Sequence, residues 1–293
     1  MSFSANVKVR IAQIEEKCEF CNRAQLSAII RYAGRVKQDG IFIYSENKAV
    51  ADCAKRLIYE NTGIDIIVDY KKNSGLYELW IKEKNMIDNI TDLLMINQEN
   101  YDFLMPFDCC LLSYVRGAFL GGGSISDPNK SYHLEFDCRY EAEADRLCKF
   151  LSNINITAKK TYRKGHYIVY LKEYAQIADI LGAIGDSSSA LEIYGISIEK
   201  DVRNTINRQM NCENANMDKV ADAYKKHLAA IEKIKKTIGL EKLPPVLKEI
   251  AIVRIQYPED SLKSLGERLE NPIGKSGVNH RLNRILQIAS EIK

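Results

Sequence analysis

The side chains best placed to do chemistry in this sequence sit in its last stretch, Lys275-Ser276-Gly277-Val278-Asn279-His280-Arg281-Leu282-Asn283-Arg284-Ile285-Leu286-Gln287. Wound as a helix, Val278, Leu282, Ile285, Ala289 and Ile292 recur at spacings of four and three and form a core face. Opposite them fall Ser276, His280, Asn283, Arg284 and Gln287, whose hydroxyl, imidazole, amide and guanidinium groups pair with base edges in a major groove. Lys275, Asn279 and Arg281 flank that face, where phosphates run. An ordinary polar helix face has the same composition, so the preceding elements decide. Leu243-Pro244-Pro245 opens a helix over 246–255, with proline early where its missing N–H costs nothing, and Tyr257-Pro258 ends it. Asp260 or Ser261 caps a short helix with the stripe Leu262, Leu265 and Leu269. Gly266 in its middle predicts a close packing partner. A tight turn over 270–274 then leads into the basic helix, and the three together form a helix-turn-helix pattern.

A second set of reactive groups is the eight cysteines. Cys18 and Cys21 have half of a zinc-site spacing, but no second C-x-x-C or H-x-x-x-H follows. Cys53, the adjacent pair Cys109-Cys110, Cys138, Cys148 and Cys212 are scattered. A structural zinc needs four converging nitrogen or sulfur ligands, so the expectation is reduced, buried thiols with no metal and no cofactor.

The chain that positions these groups has 293 residues, enough for two or three compact units. With 46% hydrophobic and 28% charged residues it is neither disordered nor membrane-spanning in composition. The first residues lack the apolar stretch of a signal peptide, and a cytoplasmic, nucleoid-associated protein is expected. The net charge of +3 divides into −2 over residues 1–200 and +5 over 201–293, so a focused anionic partner is expected at the C-terminal side.

The first two-thirds hold an internal repeat. Offset by ninety, residues 53–82 align on 143–172 with eight identities: Ala54/Ala144, Arg56/Arg146, Leu57/Leu147, Ile64/Ile154, Ile66/Ile156, Gly75/Gly165, Tyr77/Tyr167 and Lys82/Lys172. Each copy begins with an apolar helix ending in glycine (26–34 and 114–123), followed by short strands including 41–44 and 133–136. A second helix (50–62 and 141–153) then leads to a hairpin, 65–70 with 76–81 and 157–162 with 167–171. A final helix (86–95 and 174–184) closes each copy. The unit is αββαββα, present twice, and the expected fold class is α+β followed by an all-α domain.

The helix that opens each copy resembles the LAGLIDADG motif of homing endonucleases, over residues 26–34 and 115–123. The resemblance implies that the two helices pack side by side at the centre, with Ala28, Gly117 and Gly121 allowing a close approach. It also implies that, in active members, the acid before the final glycine of each motif holds the divalent metal. Here those positions are Ala33 and Gly122, which cannot ligate a metal through a side chain. Asp39 and Asp127 lie downstream of the motifs. The resemblance further places DNA across the sheet surface, where the hairpins offer Lys71, Lys72, Lys159, Lys160, Tyr162, Arg163 and Lys164.

The order of the parts resembles the WhiA family of bacterial regulators, most specifically over Arg116–Ser126, Asn207–Asn216 and Lys275–Leu282. What the resemblance implies is a non-catalytic protein that binds double-stranded DNA and acts in sporulation, cell division or chromosome segregation. The expected division is a LAGLIDADG-like domain over 1–205 (repeats about 20–97 and 108–186), a linker over 206–218, and a helix-turn-helix domain over 219–293. Two other classes are a scaffold that binds RNA polymerase or another regulator through the first domain, and an active metal-dependent endonuclease.

Overall fold

A computed structural model describes residues 2–16, 18–98 and 102–292 and divides into two compact units, 1–200 and 201–293. The first opens with α1 (Phe3–Ala12), which the sequence reading missed; Ser2 caps it, accepting from the Ala5 N–H at 3.2 Å, and Val7, Ile11 and Ala12 are buried. The first repeat follows as α2 (Glu19–Ala33), β1 (Gly34–Lys37), β2 (Gly40–Ser45), α3 (Lys48–Thr62), β3 (Asp69–Lys71), β4 (Leu76–Ile81) and α4 (Lys84–Leu93). The second repeat is α5 (Asp108–Gly122), β5 (Gly123–Ile125), β6 (Leu134–Cys138), α6 (Glu141–Asn153), β7 (Lys159–Arg163), β8 (His166–Leu171) and α7 (Tyr174–Ala183). Each repeat forms a four-stranded antiparallel sheet of the same topology, β1-β2-β4-β3 and β5-β6-β8-β7. The duplication is therefore structural, down to the hairpin pairs Tyr70 with Tyr77 and Tyr162 with Tyr167.

Local chemistry sets the boundaries. Asn47 caps α3 by accepting from the Ala49 N–H at 3.0 Å, and Gly63, at φ 71°, ends that helix in the left-handed conformation. The second hairpin turns through Lys164 and Gly165 at φ 53° and 87°, the two positive values a two-residue turn requires. The first hairpin is shorter than its sequence pattern: residues 65–68 keep the alternation, with Ile66 buried and Ile67 exposed, but make no ladder with β4.

At the centre of the unit α2 packs along α5. A Cβ on Gly117 would lie 2.8 Å from the Ala28 Cβ and collide with the Gln25 carbonyl; one on Gly121 would lie 3.0 Å from the Tyr32 Cβ. The two helices run in the same direction, because the first turns of both meet at Cys21 and Cys110 while Gly121 meets Tyr32 and Ala33. Around this seam Leu26, Ile29 and Ile30 of α2 and Val115, Ala118 and Phe119 of α5 are fully buried.

The expected linker over 206–218 is helical. It lies within α8 (Ser187–Thr237), because no glycine or proline interrupts the chain from Ile196 to Thr237. Its asparagines give a polar surface rather than a break. The second unit then folds α9 (Pro245–Gln256), α10 (Leu262–Glu267) and α11 (Lys275–Glu291) onto Ala230, Ile231 and Ile234 of α8. No helix among the described residues is long and apolar enough to cross a membrane.

Two glycine substitutions with opposite outcomes test the central seam. Gly117→Ala forces a methyl group against the α2 backbone and is expected to lower stability by about 1–3 kcal/mol. Gly195→Ala places its methyl in open space within a helix and is expected to be neutral or stabilising, by up to ~1 kcal/mol. Chemical denaturation of the two variants measures both, and a Gly117→Ala protein as stable as the parent contradicts the packing described.

Candidate nucleic-acid interface

The helix-turn-helix is held by a small core in which Leu247, Ile250, Leu265, Leu269, Val278, Leu282 and Ile285 are buried. Gly266 has the close partner its position predicts: any Cβ there would collide with the Ile273 carbonyl, and its own carbonyl accepts from the Ile273 N–H at 3.1 Å. That contact folds the turn tightly between α10 and α11. Ser261 caps α10, accepting from the Ser264 N–H at 3.2 Å. The loop between α9 and α10 is clamped by two arginines. Arg254 is buried and donates to the carbonyls of Asp260 at 2.8 Å and Pro258 at 3.4 Å. Arg268 stacks 3.8 Å from the Tyr257 ring centroid and pairs with Asp260 at 2.6 Å.

On this scaffold α11 presents Lys275, Ser276, Asn279, His280, Asn283, Arg284 and Gln287, all exposed on the side away from the core. Its first residue follows Gly274, which offers no side chain to the free N–H groups of the first turn, so these too are open to an anion. Arg284 and Gln287 are not independent: Arg284 donates to the Gln287 Oε1 at 2.5 Å, and Gln287 donates to Glu291 at 3.0 Å. This chain ties the guanidinium to side chains of its own helix. Arg281 departs from the expected phosphate-contacting position. It falls next to the core stripe, so its side chain leans on α9, where it lies 3.7 Å from Glu249 and is only 20% exposed.

The hairpin residues of the first unit divide between two faces. Strand register places Lys159 and Arg163 on the outer face of the second sheet, with Glu135, Asp137 and His166. Lys160 and Tyr162 point to the opposite face. There Lys160 meets Glu141 at 2.9 Å and Asp145 at 2.5 Å on α6, which neutralise it as a phosphate ligand. Lys71 and Arg163 are also partnered, Lys71 with Asp69 at 2.6 Å and Arg163 with Glu135 at 3.5 Å. Lys72, Lys159 and Lys164 remain exposed. The sequence reading missed a basic and aromatic patch on the outer face of the first sheet. Lys37 sits 5.8 Å over Phe42, and Lys71 and Lys82 lie 5.5 and 5.7 Å from Trp80, with Arg35 beside them. The second sheet repeats the motif with Lys172 at 5.4 Å over Tyr170. Strand alternation around the one tryptophan was the signal available.

Where the motif helices end, Ala33 closes α2 and Gly122 closes α5. The carbonyls at those ends face side-chain cations: Lys8 donates to the Leu120 carbonyl at 3.1 Å, and Arg139 to the Gly34 carbonyl at 3.2 Å. Burial pushes the Lys8 amine down to about 8, against a raising contribution from Glu46. Asp137 and His166, 2.6 Å apart, line the same small cavity of about 250 Å³ with Lys8, Arg139 and Gly122. Asp39 lies exposed beside the β1–β2 turn, and Asp127 accepts from the Asn129 N–H at 2.9 Å within its own turn.

The cysteines are not all scattered. Cys18 and Cys21 at the start of α2 meet Cys109 and Cys110 at the start of α5, the four sulfurs lying within 4.8 Å of one another. The expectation that no four ligands converge is thus corrected. Their spacing in sequence hid it, because the two pairs are joined only through packing of the repeats.

Two family descriptions match this chain: a "WhiA LAGLIDADG-like domain" over residues 111–203 and a "WhiA C-terminal HTH domain" over 206–289. A protein from Clostridium botulinum named "Probable cell division protein WhiA" is 40% identical over 100% of this chain and 99% of its own length. One of the same name from Caldicellulosiruptor saccharolyticus is 37% identical over 100% of this chain and 96% of its own length. Among solved structures, full-length WhiA from T. maritima matches with a TM-score of 0.63 at 27% identity, covering 100% of this chain and 99% of that one.

The scaffold of the candidate reading helix carries a pH signature. His227 is buried beside Arg254, and burial first, then the arginine charge, push its imidazole down to about 4. The unfolded chain binds a proton at about 6.5. The neutral form therefore stabilises the second unit fully above about pH 6.5, and this contribution is lost as pH falls from there towards about 4. The protection factors of the α9 and α11 amides in the full chain, that is, exchange corrected for its intrinsic pH dependence, are expected to fall over that window, and to do so less steeply in His227→Gln. Parallel curves for the two proteins would assign the acid sensitivity elsewhere.

Proposed function

The chain belongs to the WhiA family, and from that premise we propose that it is a non-catalytic, sequence-specific DNA-binding protein that regulates transcription. The observation that carries the reading is the outward face of α11, with six hydrogen-bonding side chains (Ser276, Asn279, His280, Asn283, Arg284 and Gln287) and Lys275 on a rigid helix-turn-helix. Base discrimination needs such groups on an element that fits the major groove. The Arg284–Gln287–Glu291 chain supports it, since a pre-fixed guanidinium spends less conformational freedom when it meets a guanine edge. The names of the relatives point to cell division as the process served, and chromosome segregation and sporulation belong to the same reading, with the protein placed on the nucleoid.

The first unit serves as a support with weak, sequence-tolerant affinity for nucleic acid. Its outer sheet faces carry Arg35, Lys37, Lys82, Lys159 and Lys172 with Phe42, Trp80 and Tyr170, but Asp69, Glu78, Glu135 and Asp137 share those faces. Acids on the same faces repel phosphates and offset part of the cationic charge, so backbone contact there is weak. Cleavage is absent from the proposal because phosphodiester hydrolysis of the nuclease type needs carboxylate-bound metal. At the two helix ends Ala33 and Gly122 offer no carboxylate, and Lys8 and Arg139 meet the carbonyls instead.

Two experiments test this. Selection of bound sequences from a random duplex pool is expected to return a motif with the full chain. Arg284→Ala or His280→Ala is expected to relax it at one or two base pairs, by about 1–3 kcal/mol each. A motif unchanged by both substitutions and lost on changing Trp80 and Lys82 would exchange the roles of the two units. Separately, purified protein incubated with supercoiled and linear DNA and Mg²⁺ or Mn²⁺ is expected to leave both intact. Nicking that survives repurification and disappears with Asp137→Asn would restore a nuclease centre.

A further inference from the structure

The four thiols at the head of the central helix pair have the geometry of a ligand set. Cys21 and Cys110 lie 3.7 Å apart, sulfur to sulfur, and Cys109 and Cys110 lie 3.9 Å apart. A zinc ion bound tetrahedrally at Zn–S distances of about 2.3 Å separates its thiolates by about 3.8 Å. These two separations are thus those of thiolates that share one ion, and all four sulfurs lie within 4.8 Å of one another. Two irons bridged by sulfide would need the cysteine pairs further apart than the 4.8 Å within which all four sulfurs lie. Each sulfur also sits at a helix start. Cys18 is the N-cap and Cys21 the third residue of α2; Cys109 and Cys110 are the second and third residues of α5. Two parallel helices direct the positive ends of their dipoles at this point, where a net negative metal–thiolate group is favoured.

We propose that Cys18, Cys21, Cys109 and Cys110 together bind one tetrahedral divalent cation of the zinc type, which clasps the N-terminal ends of the two central helices. Four protein ligands would fill the coordination sphere, as in a structural site. Cys21 and Cys110 are buried, Cys18 is half-buried and Cys109 exposed, and Phe20 and Phe107, close to the cysteines in sequence, meet edge to face over 6.3 Å. Ser113 lies beside Cys21 and donates to Glu16 at 3.3 Å, and Glu16 is held in turn by the buried Arg116. Such a supporting shell orients ligands before the ion arrives. Burial raises the Cys21 and Cys110 thiols, the latter up to about 11, whereas the Cys21 backbone N–H lowers the Cys18 thiol, and ion binding releases the protons of the buried pair.

The test uses the full-length reduced chain. Grown with zinc and passed through a metal-free column, it is expected to retain one equivalent of zinc, measured by elemental analysis. Refilled with Co²⁺, it is expected to show the thiolate charge-transfer band and the intense visible bands of a tetrahedral four-sulfur site. Serine at any of Cys18, Cys21, Cys109 or Cys110 is expected to weaken metal affinity at least about tenfold, the scale on which even the supporting partners of ligands act. Cys212→Ser, on the exposed part of α8, keeps one equivalent. If a serine variant fails to fold, the cobalt spectrum of the unchanged chain decides by its number of thiolate ligands. A folded, reduced chain that takes up neither ion overturns the proposal. So does a metal content that all four variants share with the parent, acid-labile sulfide accompanying iron, or a disulfide within the cluster under reducing conditions.

Discussion

Two parallel helices in van der Waals contact along their length are the constraint from which the first unit follows. Gly117 and Ala28 permit the approach, and Gly34 and Gly123, the C-caps of α2 and α5, turn the chain directly into β1 and β5. Both sheets therefore spring from the same end of the helix pair, and their outer faces are set by that origin. Parallel alignment has an electrostatic cost, since like dipole ends lie side by side. The negative ends are met by Lys8 and Arg139, and the positive ends by a cluster of sulfurs. The cations at the negative ends are a consequence of the packing and not an independent ornament.

Much of this was legible from residue spacing. The two αββαββα repeats, the small residues of the seam and the helix-turn-helix with its Gly266 contact all rest on local periodicity or on a close approach that only glycine allows. What escaped depends on pairing between distant segments. The four cysteines are two doublets ninety residues apart, and only the seam between repeats joins them. Lys160 and Tyr162 looked like one patch with Lys159 and Arg163, but strand alternation sends neighbours to opposite faces, and α6 supplies the acids that take up Lys160. Arg281 looked free because a helix wheel does not show that α9 brings Glu249 against its flank. The polar stretch 206–218 was read as a linker on composition, and its helical conformation was legible in the absence of glycine and proline.

The second unit shows a related economy. Its core is small, and its shape depends on a loop of a few residues between α9 and α10. Arg254 fills the role that apolar packing has elsewhere: its stem is buried, while its guanidinium satisfies carbonyls that the loop would otherwise leave in the interior. Burial disfavours a charge on His227 beside it, and the Arg254 cation adds to that, so the imidazole stays neutral. The rigidity of the reading helix is thus linked to the protonation of a side chain on a different helix.

The cations at the centre of the first unit break its pseudo-twofold symmetry. Lys8 comes from α1, which neither repeat contains, and it serves α5 of the second copy. Arg139 comes from the second copy and serves the end of α2 in the first. Matching Ile43 with Phe136, opposite Gly34 and Gly123, sets Glu46 in the place that Arg139 occupies. The copies have exchanged complementary signs across their axis, so neither half can stand in for the other. Each helix end is thus met by a cation from outside its own copy, and positions that match across the axis carry opposite signs.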